Sequence, residues 1–399
     1  MQNVYHACKT KKRKMIYEPR EDSFLLQEWV RKFARGVVLD VGTGSGIQAV
    51  TAAKKRTVKK VVAIDISKEA VAQCKKAIRN KKITFLQSDL FSNVKGSFDT
   101  IIFNPPYLPT EPGIPKDVSV EGGRKGYETL VRFLEGASRY LKQDGIILIV
   151  FSSLTKKAKV DEALKNYMFE HKTLATRKLA FEELYVYLIT KSQLMRTLEK
   201  KGISDIRYFA KGKRGVIYTG IMHGKKVAIK VKRMESLALG RIRNEAKTLK
   251  IVNRLGIGPK LLLAGPGFVV YEFVEGEYLK DWIVDARQDQ VKKVFNSLFQ
   301  QAYRLDKICL NKEEMHRPFK HAIVGKNEKV TLIDFERARK VKANKVKNVT
   351  QLCQFVFSLQ KLLEKKGLKI DKKNLLSLAK SYKAEPSEER LKAIIRQIG

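Results

Sequence analysis

Four short apolar segments, each followed by polar or small residues, constrain the fold of this chain more than any other feature. They are Val37–Val41, Val61–Ile64, Ile83–Leu86 and Phe98–Phe103. Continuous apolar runs of this length predict strands that are buried on both faces, as in a parallel sheet covered by helices. Ligands of open α/β sheets bind at the carboxyl ends of the strands. The residues that follow the four segments therefore predict one binding edge.

The first three strand ends predict a site for a nucleoside-containing ligand. Gly42, Gly44 and Gly46 let the backbone turn tightly and leave room for a ligand. Their Gly-x-Gly-x-Gly spacing differs from the Gly-x-Gly-x-x-Gly of dinucleotide sites. Asp65, after the second strand, can accept hydrogen bonds from both ribose hydroxyls, and Asp89, after the third, can accept one from an adenine amine.

The fourth strand ends at Asn104-Pro105-Pro106-Tyr107. The Asn104 side-chain oxygen and the Pro105 carbonyl can accept hydrogen bonds from a planar NH2 group, whose lone pair then faces a methyl donor. Tyr107 offers an aromatic face for stacking. In isolation, the four residues could also be a turn stiffened by prolines. Together with the other strand ends they predict a catalytic set of Asn104, Pro105, Pro106 and Tyr107.

Residues 1–190 resemble the class I S-adenosylmethionine-dependent methyltransferases and, within them, the HemK-type glutamine methyltransferases. The segment from Asp40 to Gly46, Asp65, the segment Ser88–Phe91 and Asn104–Tyr107 match the family's motifs. Tyr17–Leu26 resembles the opening of the short archaeal and eukaryotic branch, and Gly122–Gly126 resembles its Gly-Gly-x-x-Gly segment.

This resemblance implies a Rossmann-like, seven-stranded sheet and S-adenosylmethionine as the methyl donor. The implied donor-binding residues are Asp40, Gly42, Gly44, Gly46, Asp65, Asp89 and Asn104. The implied acceptor is the glutamine of the Gly-Gly-Gln loop of a class 1 translation release factor. Members of this branch often work with a small zinc-binding activator protein. The segment from Pro109 to Gly126 is longer than a simple connection, and we expect it to form a lid over the substrate.

An adenine amino-methyltransferase acting on DNA or RNA is the alternative, because such enzymes also use Asn-Pro-Pro-Tyr. The formal net charge of +40 would suit a nucleic-acid partner. The Tyr17–Leu26 block favours glutamine, as does the lack of a recognisable target-recognition domain within residues 1–190. In this alternative, the C-terminal half is a catalytically weak nucleotide-binding docking module.

Residues 191–399 predict an α+β domain similar to the atypical protein kinases of the RIO type and of the KEOPS complex. Gly212 and Gly215 mark a turn between strands that could cover a nucleotide. Lys230, in Val-Ala-Ile-Lys, can pair with Glu245 on a following helix, which would place the lysine on nucleotide phosphates. Asp334 offers a carboxylate for Mg²⁺. ATP and Mg²⁺ are therefore the expected ligands.

This half departs from the kinase pattern at the catalytic loop. Pro318 stands where His-Arg-Asp has its aspartate. A shifted register makes Glu314 or His316 the candidate base, of which Glu314 is preferred, and puts His321 in the place of the metal-binding asparagine. The predicted metal ligands are Asp334 and His321, and nucleotide binding is expected to survive these departures more easily than phosphoryl transfer.

Composition adds expectations about location and partners. The four cysteines are scattered without a Cys-x-x-Cys pair, which favours a reducing cytosol and no structural zinc. No apolar run approaches the roughly 20 residues of a membrane span. The basic segments Lys340–Lys347 and Leu391–Gln397 are interpreted as solvated faces, with ribosome or tRNA contact as the alternative.

Overall fold

A computed structural model describes residues 18–110, 120–212, 215–232 and 239–398. It divides into two compact units, Met1–Arg207 and Tyr208–Gly399. The sequence predicted this division after residue 190. In the structure, residues 191–207 also belong to the N-terminal unit, and they contain one helix and the start of one strand. Residues 111–119, the middle of the predicted lid, lie outside the described residues, as does Tyr17 of the N-terminal block.

The N-terminal unit alternates strands with helices. Its helices are α1 (Glu21–Phe33), α2 (Ile47–Ala53), α3 (Lys68–Ala77), α4 (Glu128–Tyr140), α5 (Lys157–Asn166) and α6 (Gln193–Lys200). Its strands are β1 (Gly36–Val41), β2 (Val58–Asp65), β3 (Ile83–Gln87), β4 (Phe98–Phe103), β5 (Leu108–Pro109), β6 (Glu121–Gly123), β7 (Leu141–Ser152), β8 (Phe169–Lys178) and β9 (Glu183–Lys191).

Helix α1 forms where the sequence has acidic residues at the start, basic residues at the end and one apolar face. Glu21 and Asp22 lie in its first turn and two basic residues in its last, which complements the helix dipole. Leu25, Leu26 and Val30 are buried on one side. That side packs against the sheet in the same apolar cluster as β1. The start of α1 is thereby fixed beside the binding edge.

Seven strands form the main sheet of this unit, in the order β3-β2-β1-β4-β7-β9-β8. The pairs from β3 to β7 are parallel, and β9 runs antiparallel to both neighbours. Val41 at the end of β1 is paired with Ile64 on one side and Phe103 on the other. The Rossmann-like, seven-stranded sheet predicted from the sequence is confirmed, and its strand ends meet at one edge.

The loop after β4 is held by a short parallel pair, β5 with β6. The Tyr107 backbone N–H donates to the Val120 carbonyl oxygen over 3.0 Å. Gly126 has a φ of +85°, and a Cβ atom there would lie 2.5 Å from the Tyr107 carbonyl oxygen. Only glycine fits this position without moving Tyr107.

A five-stranded sheet of order β10-β11-β12-β14-β13 follows, and its pairs from β11 to β13 are antiparallel. The C-terminal unit begins within β10. These strands are β10 (Ile203–Lys211), β11 (Gly215–Met222), β12 (Lys225–Lys232), β13 (Leu261–Gly265) and β14 (Phe268–Glu272). The shorter strands are β15 (Glu277–Tyr278), β16 (Leu310–Asn311), β17 (Ala322–Val324), β18 (Val330–Leu332) and β19 (Arg339–Lys340).

The helices of this unit are α7 (Leu239–Val252), α8 (Leu279–Asp285), α9 (Gln288–Lys307), α10 (Asn348–Ser358), α11 (Gln360–Lys365), α12 (Lys372–Ala384) and α13 (Glu388–Arg396). One apolar cluster joins α9, α10 and the strands β17 and β18. The α+β composition of this unit follows the prediction. Its kinase-like character stays a prediction.

Among the described residues, no helix combines the length and the apolar character that crossing a membrane requires.

Replacing Gly126 by Ala tests whether β5, β6 and the following turn position Tyr107. Gly202 is the matched control, because its φ of +82° is similar but no heavy atom lies within 4 Å of a Cβ there. We expect both variants to lose ~1–2 kcal/mol of unfolding free energy from the left-handed backbone. Gly126→Ala should lose more, because its Cβ would also meet the Tyr107 carbonyl oxygen. Only Gly126→Ala should also lose methyl transfer, measured with labelled donor. Equal transfer by the two variants would contradict this role.

Candidate functional site

The glycine loop after β1 has the backbone shape that the sequence predicts. Gly42, Gly44 and Gly46 all have positive φ, at +63°, +52° and +83°. A Cβ atom at Gly42 would lie 3.6 Å from the Phe103 ring and 3.8 Å from the Asn104 carbonyl oxygen. The loop therefore lies directly beside the end of β4.

Asp40 anchors this loop from beneath. Its Oδ2 accepts hydrogen bonds from the Thr43 hydroxyl over 2.7 Å and from the Ala49 N–H over 3.1 Å. Burial, with a smaller contribution from Asp65, raises the pKa of Asp40 to about 7 although both hydrogen bonds oppose the shift. Asp40 therefore ties the glycine loop to α2. A direct contact between Asp40 and a donor stays a prediction.

Asp65 is held in place by two backbone groups. Its Oδ2 accepts from the Gly44 N–H and its Oδ1 from the Ser67 N–H, each over 2.9 Å. Asp89 instead pairs with Arg132 over 2.9 Å, and both side chains are about half exposed. The structure thus brings Asp65 against the glycine loop. Asp89 forms a salt bridge with Arg132, which the sequence did not indicate.

Asn104 is oriented by the start of α1. Its Nδ2 donates to the Asp22 Oδ2 over 3.0 Å and to the Ser23 Oγ over 3.3 Å. Its Oδ1 is buried and has no hydrogen-bond partner within the described part of the chain. A carboxylate only accepts hydrogen bonds. The amide nitrogen is therefore turned towards Asp22, and its oxygen remains available to a donor such as a substrate NH2 group.

Asp22 and Ser23 contact Asn104, although the sequence argument did not single them out. Both are buried. The Asp22 Oδ1 accepts from the Ser23 N–H over 2.6 Å, and the Gln48 Nε2 donates to the Ser23 carbonyl over 2.8 Å. The sequence does show a carboxylate and a hydroxyl side by side in the N-terminal block. Their spacing along the chain does not indicate that they contact Asn104.

Tyr107 lies in acidic surroundings. Burial raises the pKa of its hydroxyl above the ordinary value, and the charges of Asp22, Glu182 and Glu21 add to this effect, while Arg20 opposes it. Pro105 is buried and Pro106 is half-buried between Asn104 and Tyr107. The acceptor side of the edge therefore combines a stiff backbone, an aromatic ring and several carboxylates.

The residues present fit a methyl donor with a ribose. The glycine loop leaves its backbone open, since the nearest atom to a Cβ at Gly44 would be 4.0 Å away. The Asp65 carboxylate is anchored at the end of β2, beside that loop. Asn104, with its orphaned Oδ1, follows β4, which lies on the other side of β1 along the same edge. This arrangement can hold a nucleoside and a planar nitrogen side by side.

A second group of charged side chains lies in the C-terminal unit around Lys230. The Lys230 Nζ lies 2.7 Å from the Glu245 Oε2, 3.0 Å from the Asp334 Oδ1 and 3.4 Å from the Glu336 Oε2. Burial opposes the positive charge, but the attraction of Glu245 and Asp334 outweighs it and raises the pKa of Lys230. The predicted pairing of Lys230 with Glu245 is present in the structure.

Asp334 also faces the residues that the sequence proposed for metal binding and base catalysis. The His321 Nδ1 lies 3.8 Å from the Asp334 Oδ2, and the His321 Nε2 lies 2.7 Å from the Glu314 Oε2. The Glu314 Oε1 in turn contacts Arg337 over 2.8 Å. Both carboxylate oxygens of Glu314 are thus engaged. Its role as a base stays a prediction, and the alternative base His316 is exposed.

Lys312 is a further residue that sequence reasoning missed. It is buried, and its Nζ has no hydrogen-bond partner among the residues described. Burial lowers its pKa to about 8, although Asp334, Glu314 and Glu245 attract its charge. The glycine turn predicted to cover a nucleotide is present in part, with the Gly212 N–H donating to the Gly215 carbonyl over 2.9 Å; the two residues between them lie outside the described residues.

Comparison with known proteins gives matches to methyltransferases. The family model "Methyltransferase small domain" matches residues 21–182. A protein of Methanocaldococcus jannaschii with the provisional name protein N5-glutamine methyltransferase is 41% identical over 177 residues, which are 43% of this chain and 89% of that protein. The mouse methyltransferase HEMK2 is 29% identical over 193 residues, which are 44% of this chain and 90% of that protein.

Among solved structures, one of the matches is the Mtq2–Trm112 complex of E. cuniculi, described as responsible for methylation of the translation termination factor eRF1. It is 24% identical, has a TM-score of 0.37, and the match covers 44% of this chain and 99% of that one.

The Asn104 orientation predicts a positioning role for Asp22. Asp22→Asn keeps the shape of the side chain but offers a donor as well as an acceptor, so it no longer fixes which atom of the Asn104 amide faces the substrate. We expect kcat for methyl transfer to fall ~10–100-fold, the effect of a charge-assisted hydrogen bond. The donor Kd, measured by calorimetry, should stay unchanged.

Two variants control this test. Glu28→Gln, at an exposed position further along the same helix, should leave kcat unchanged. Asp65→Ala should weaken donor binding by ~1–3 kcal/mol, because it removes the carboxylate expected to hold the ribose. Full kcat in Asp22→Asn would refute the positioning role.

Proposed function

Because this chain belongs, through the unit that contains residues 21–182, to the HemK-type family of N5-glutamine methyltransferases, we propose that it methylates the glutamine of the Gly-Gly-Gln loop of a class 1 translation release factor. The observation that carries this proposal is the Asn104 side chain. Its amide nitrogen is bound by Asp22 and Ser23, and its buried Oδ1 is left to accept from a planar amide.

Catalysis by these residues is mainly positioning. Asn104 Oδ1 and the Pro105 carbonyl accept the two N–H groups of the substrate amide and hold its nitrogen in one plane. Tyr107 stacks on the flat group. The site excludes water from the transfer. A strong base is unnecessary, because the methylated nitrogen loses its proton readily once it is cationic.

S-adenosylmethionine is the proposed donor, and when bound it supplies an electrophilic methyl group. The glycine loop would lie along it, and Asp65 would accept hydrogen bonds from its ribose hydroxyls. Asp89 would accept from the adenine amine after its contact with Arg132 is shared or exchanged. Asp40 would act on the donor indirectly, because it holds the glycine loop in place through its hydrogen bonds with Thr43 and Ala49.

The charge around the acceptor favours a protein substrate over a nucleic acid. Three carboxylates, those of Asp22, Glu182 and Glu21, act on the Tyr107 hydroxyl. A phosphate backbone would be repelled by such a group of like charges. This local charge has the opposite sign to the formal net charge of +40, which would suit a nucleic-acid partner.

The proposals for the remaining partners rest on the resemblance. We propose a small zinc-binding activator subunit and a reducing cytosolic location, to which the free thiols of Cys74, Cys309 and Cys353 are suited. Ribosome or tRNA contact through the basic surface stays an expectation from composition alone.

For the C-terminal unit, we propose a kinase-like nucleotide-binding function. The supporting observation is the buried pair of Lys230 on β12 with Glu245 on α7, together with Asp334 after β18. In such a site the lysine would hold phosphates. Phosphoryl transfer is expected to be slow, because Pro318 replaces the aspartate that orients a hydroxyl.

Mass spectrometry of the release factor tests the first proposal. With labelled donor, the glutamine of the Gly-Gly-Gln loop should gain one methyl group. A Gln→Asn change in that loop should abolish labelling, because a side chain shorter by one methylene cannot bring its amide to Asn104. Asn104→Ala should abolish transfer while it keeps donor affinity. DNA and tRNA should stay unlabelled under the same conditions.

Label in adenine of nucleic acid, with none in the release factor, would instead establish the alternative substrate. The assay is run with and without a small zinc-binding partner, so that a missing activator is not mistaken for a wrong acceptor.

Direct titration with a fluorescent ATP analogue tests the second proposal. Lys230→Met with Glu245→Gln removes both members of the buried pair, so neither charge is left uncompensated in the interior. We expect this double variant to bind the analogue ~10–100-fold more weakly. Lys225→Ala, at an exposed position on the same strand, should bind normally. If the wild type binds no nucleotide, the unit is a scaffold.

A further inference from the structure

His321 has two ring nitrogens in different situations. The Nε2 lies 2.7 Å from the Glu314 Oε2. The Nδ1 is buried, has no hydrogen-bond partner among the described residues, and lies 3.8 Å from the Asp334 Oδ2. This distance is too long for a hydrogen bond. The Nδ1 and the Asp334 carboxylate oxygen therefore face each other across a short gap without a hydrogen bond between them.

The contact with Glu314 assigns the proton of the imidazole to Nε2. A ring N–H donates to a carboxylate, so the 2.7 Å contact places the hydrogen there. A neutral ring with hydrogen on Nε2 presents a lone pair at Nδ1, towards Asp334.

This arrangement has the chemistry of a metal half-site. Metal-binding histidines usually donate their second nitrogen to a carboxylate, which fixes the ring and its tautomer. Two ligands that each lie about 2.1 Å from one ion are separated by about 3–4 Å. The 3.8 Å between His321 Nδ1 and Asp334 Oδ2 falls in that range.

The backbone around this pair is also constrained. Glu314 and Asp334 both have positive φ, at +71° and +62°. Non-glycine residues in this region carry a strain that persists only where surrounding contacts impose it, and such residues cluster at ligand sites. Arg337 holds the second oxygen of Glu314, and Lys230 holds the second oxygen of Asp334. Each carboxylate is thus left with one oxygen for His321 or for an ion beside it.

We propose that His321 Nδ1 and Asp334 Oδ2 bind a first-row divalent transition metal ion in preference to Mg²⁺, with Glu314 as the residue that orients His321. The proposal rests on the nucleotide-binding function proposed above for the remaining ligands, which would be phosphate and water oxygens. Mg²⁺ prefers oxygen ligands throughout, whereas an imidazole nitrogen favours transition metals. The histidine in place of the expected asparagine therefore changes the metal.

Manganese is the probe that tests this proposal. Binding of Mn²⁺ to the full chain is measured from the electron paramagnetic resonance signal of the free ion, with and without a non-hydrolysable ATP analogue. Displacement by Mg²⁺ gives the preference between the two ions. We expect the wild type to bind Mn²⁺ at least about tenfold more tightly than Mg²⁺.

Two variants and one control locate the site. His321→Asn supplies an oxygen in place of the nitrogen, and it should lose most of the preference for Mn²⁺. Glu314→Gln should weaken Mn²⁺ binding ~10–100-fold, the usual effect of losing a residue that orients a metal ligand. His223→Asn, at an exposed histidine between β11 and β12, should leave Mn²⁺ affinity unchanged. Thermal unfolding checks that each variant is folded.

Equal affinities of the wild type for Mn²⁺ and Mg²⁺ would overturn the proposal, as would Mn²⁺ binding that is unaffected by both His321→Asn and Glu314→Gln. Nucleotide binding is measured separately in EDTA, Mg²⁺ and Mn²⁺. Loss of nucleotide binding under all three conditions, with the Mn²⁺ site intact, would refute the nucleotide function and leave the metal site standing. Equal nucleotide binding in Mg²⁺ and Mn²⁺ would refute the metal preference alone.

Discussion

The parallel pairing of β1 with β2 and β4 is the constraint on which the proposed methyl-transfer site depends. Val41 is paired with Ile64 and with Phe103, so the residues that follow these three positions emerge side by side. A slip of one residue would exchange the faces of every side chain in the slipped strand. The apolar side chains on both faces prevent such a slip, since either face would lose its packing against helices. Packing far from the chemistry thus sets the geometry of the edge.

A strand end alone does not decide what Asn104 offers to a substrate, because an amide can present either its oxygen or its NH2 group. The orientation of the amide is set by α1, where the Asp22 carboxylate accepts a hydrogen bond from the Asn104 Nδ2. Leaving the Asn104 Oδ1 buried without a partner costs on the order of 1–3 kcal/mol. A substrate N–H that reaches this oxygen recovers that free energy. The unsatisfied acceptor therefore favours binding of a planar nitrogen donor over binding of an acceptor.

Local patterns predicted the elements and the edge but not the contacts between distant residues. The strands β1 to β4 follow from apolar runs, and the glycine loop follows from spacing. The pairing of Asn104 with Asp22 joins residues 82 positions apart, and that of Asp89 with Arg132 joins residues 43 apart. Such contacts depend on how α1 and α4 pack on the sheet, which no local pattern records. The same limit applies in the C-terminal unit. The motif around Glu314 did not indicate that its carboxylate contacts His321 and Arg337.

The charged group around Asp334 is better explained by ligand binding than by stability. A buried ion pair such as Lys230 with Glu245 often contributes less to stability than apolar residues of the same volume. Lys312 adds a second buried ammonium without a hydrogen-bond partner, which raises the cost further. Asp334 adds backbone strain at the same place. A fold that needed only a packed core would lose nothing by replacing these groups with leucine or methionine. Their concentration around one carboxylate is therefore a physical argument for a ligand site there, whichever ion or phosphate the site takes.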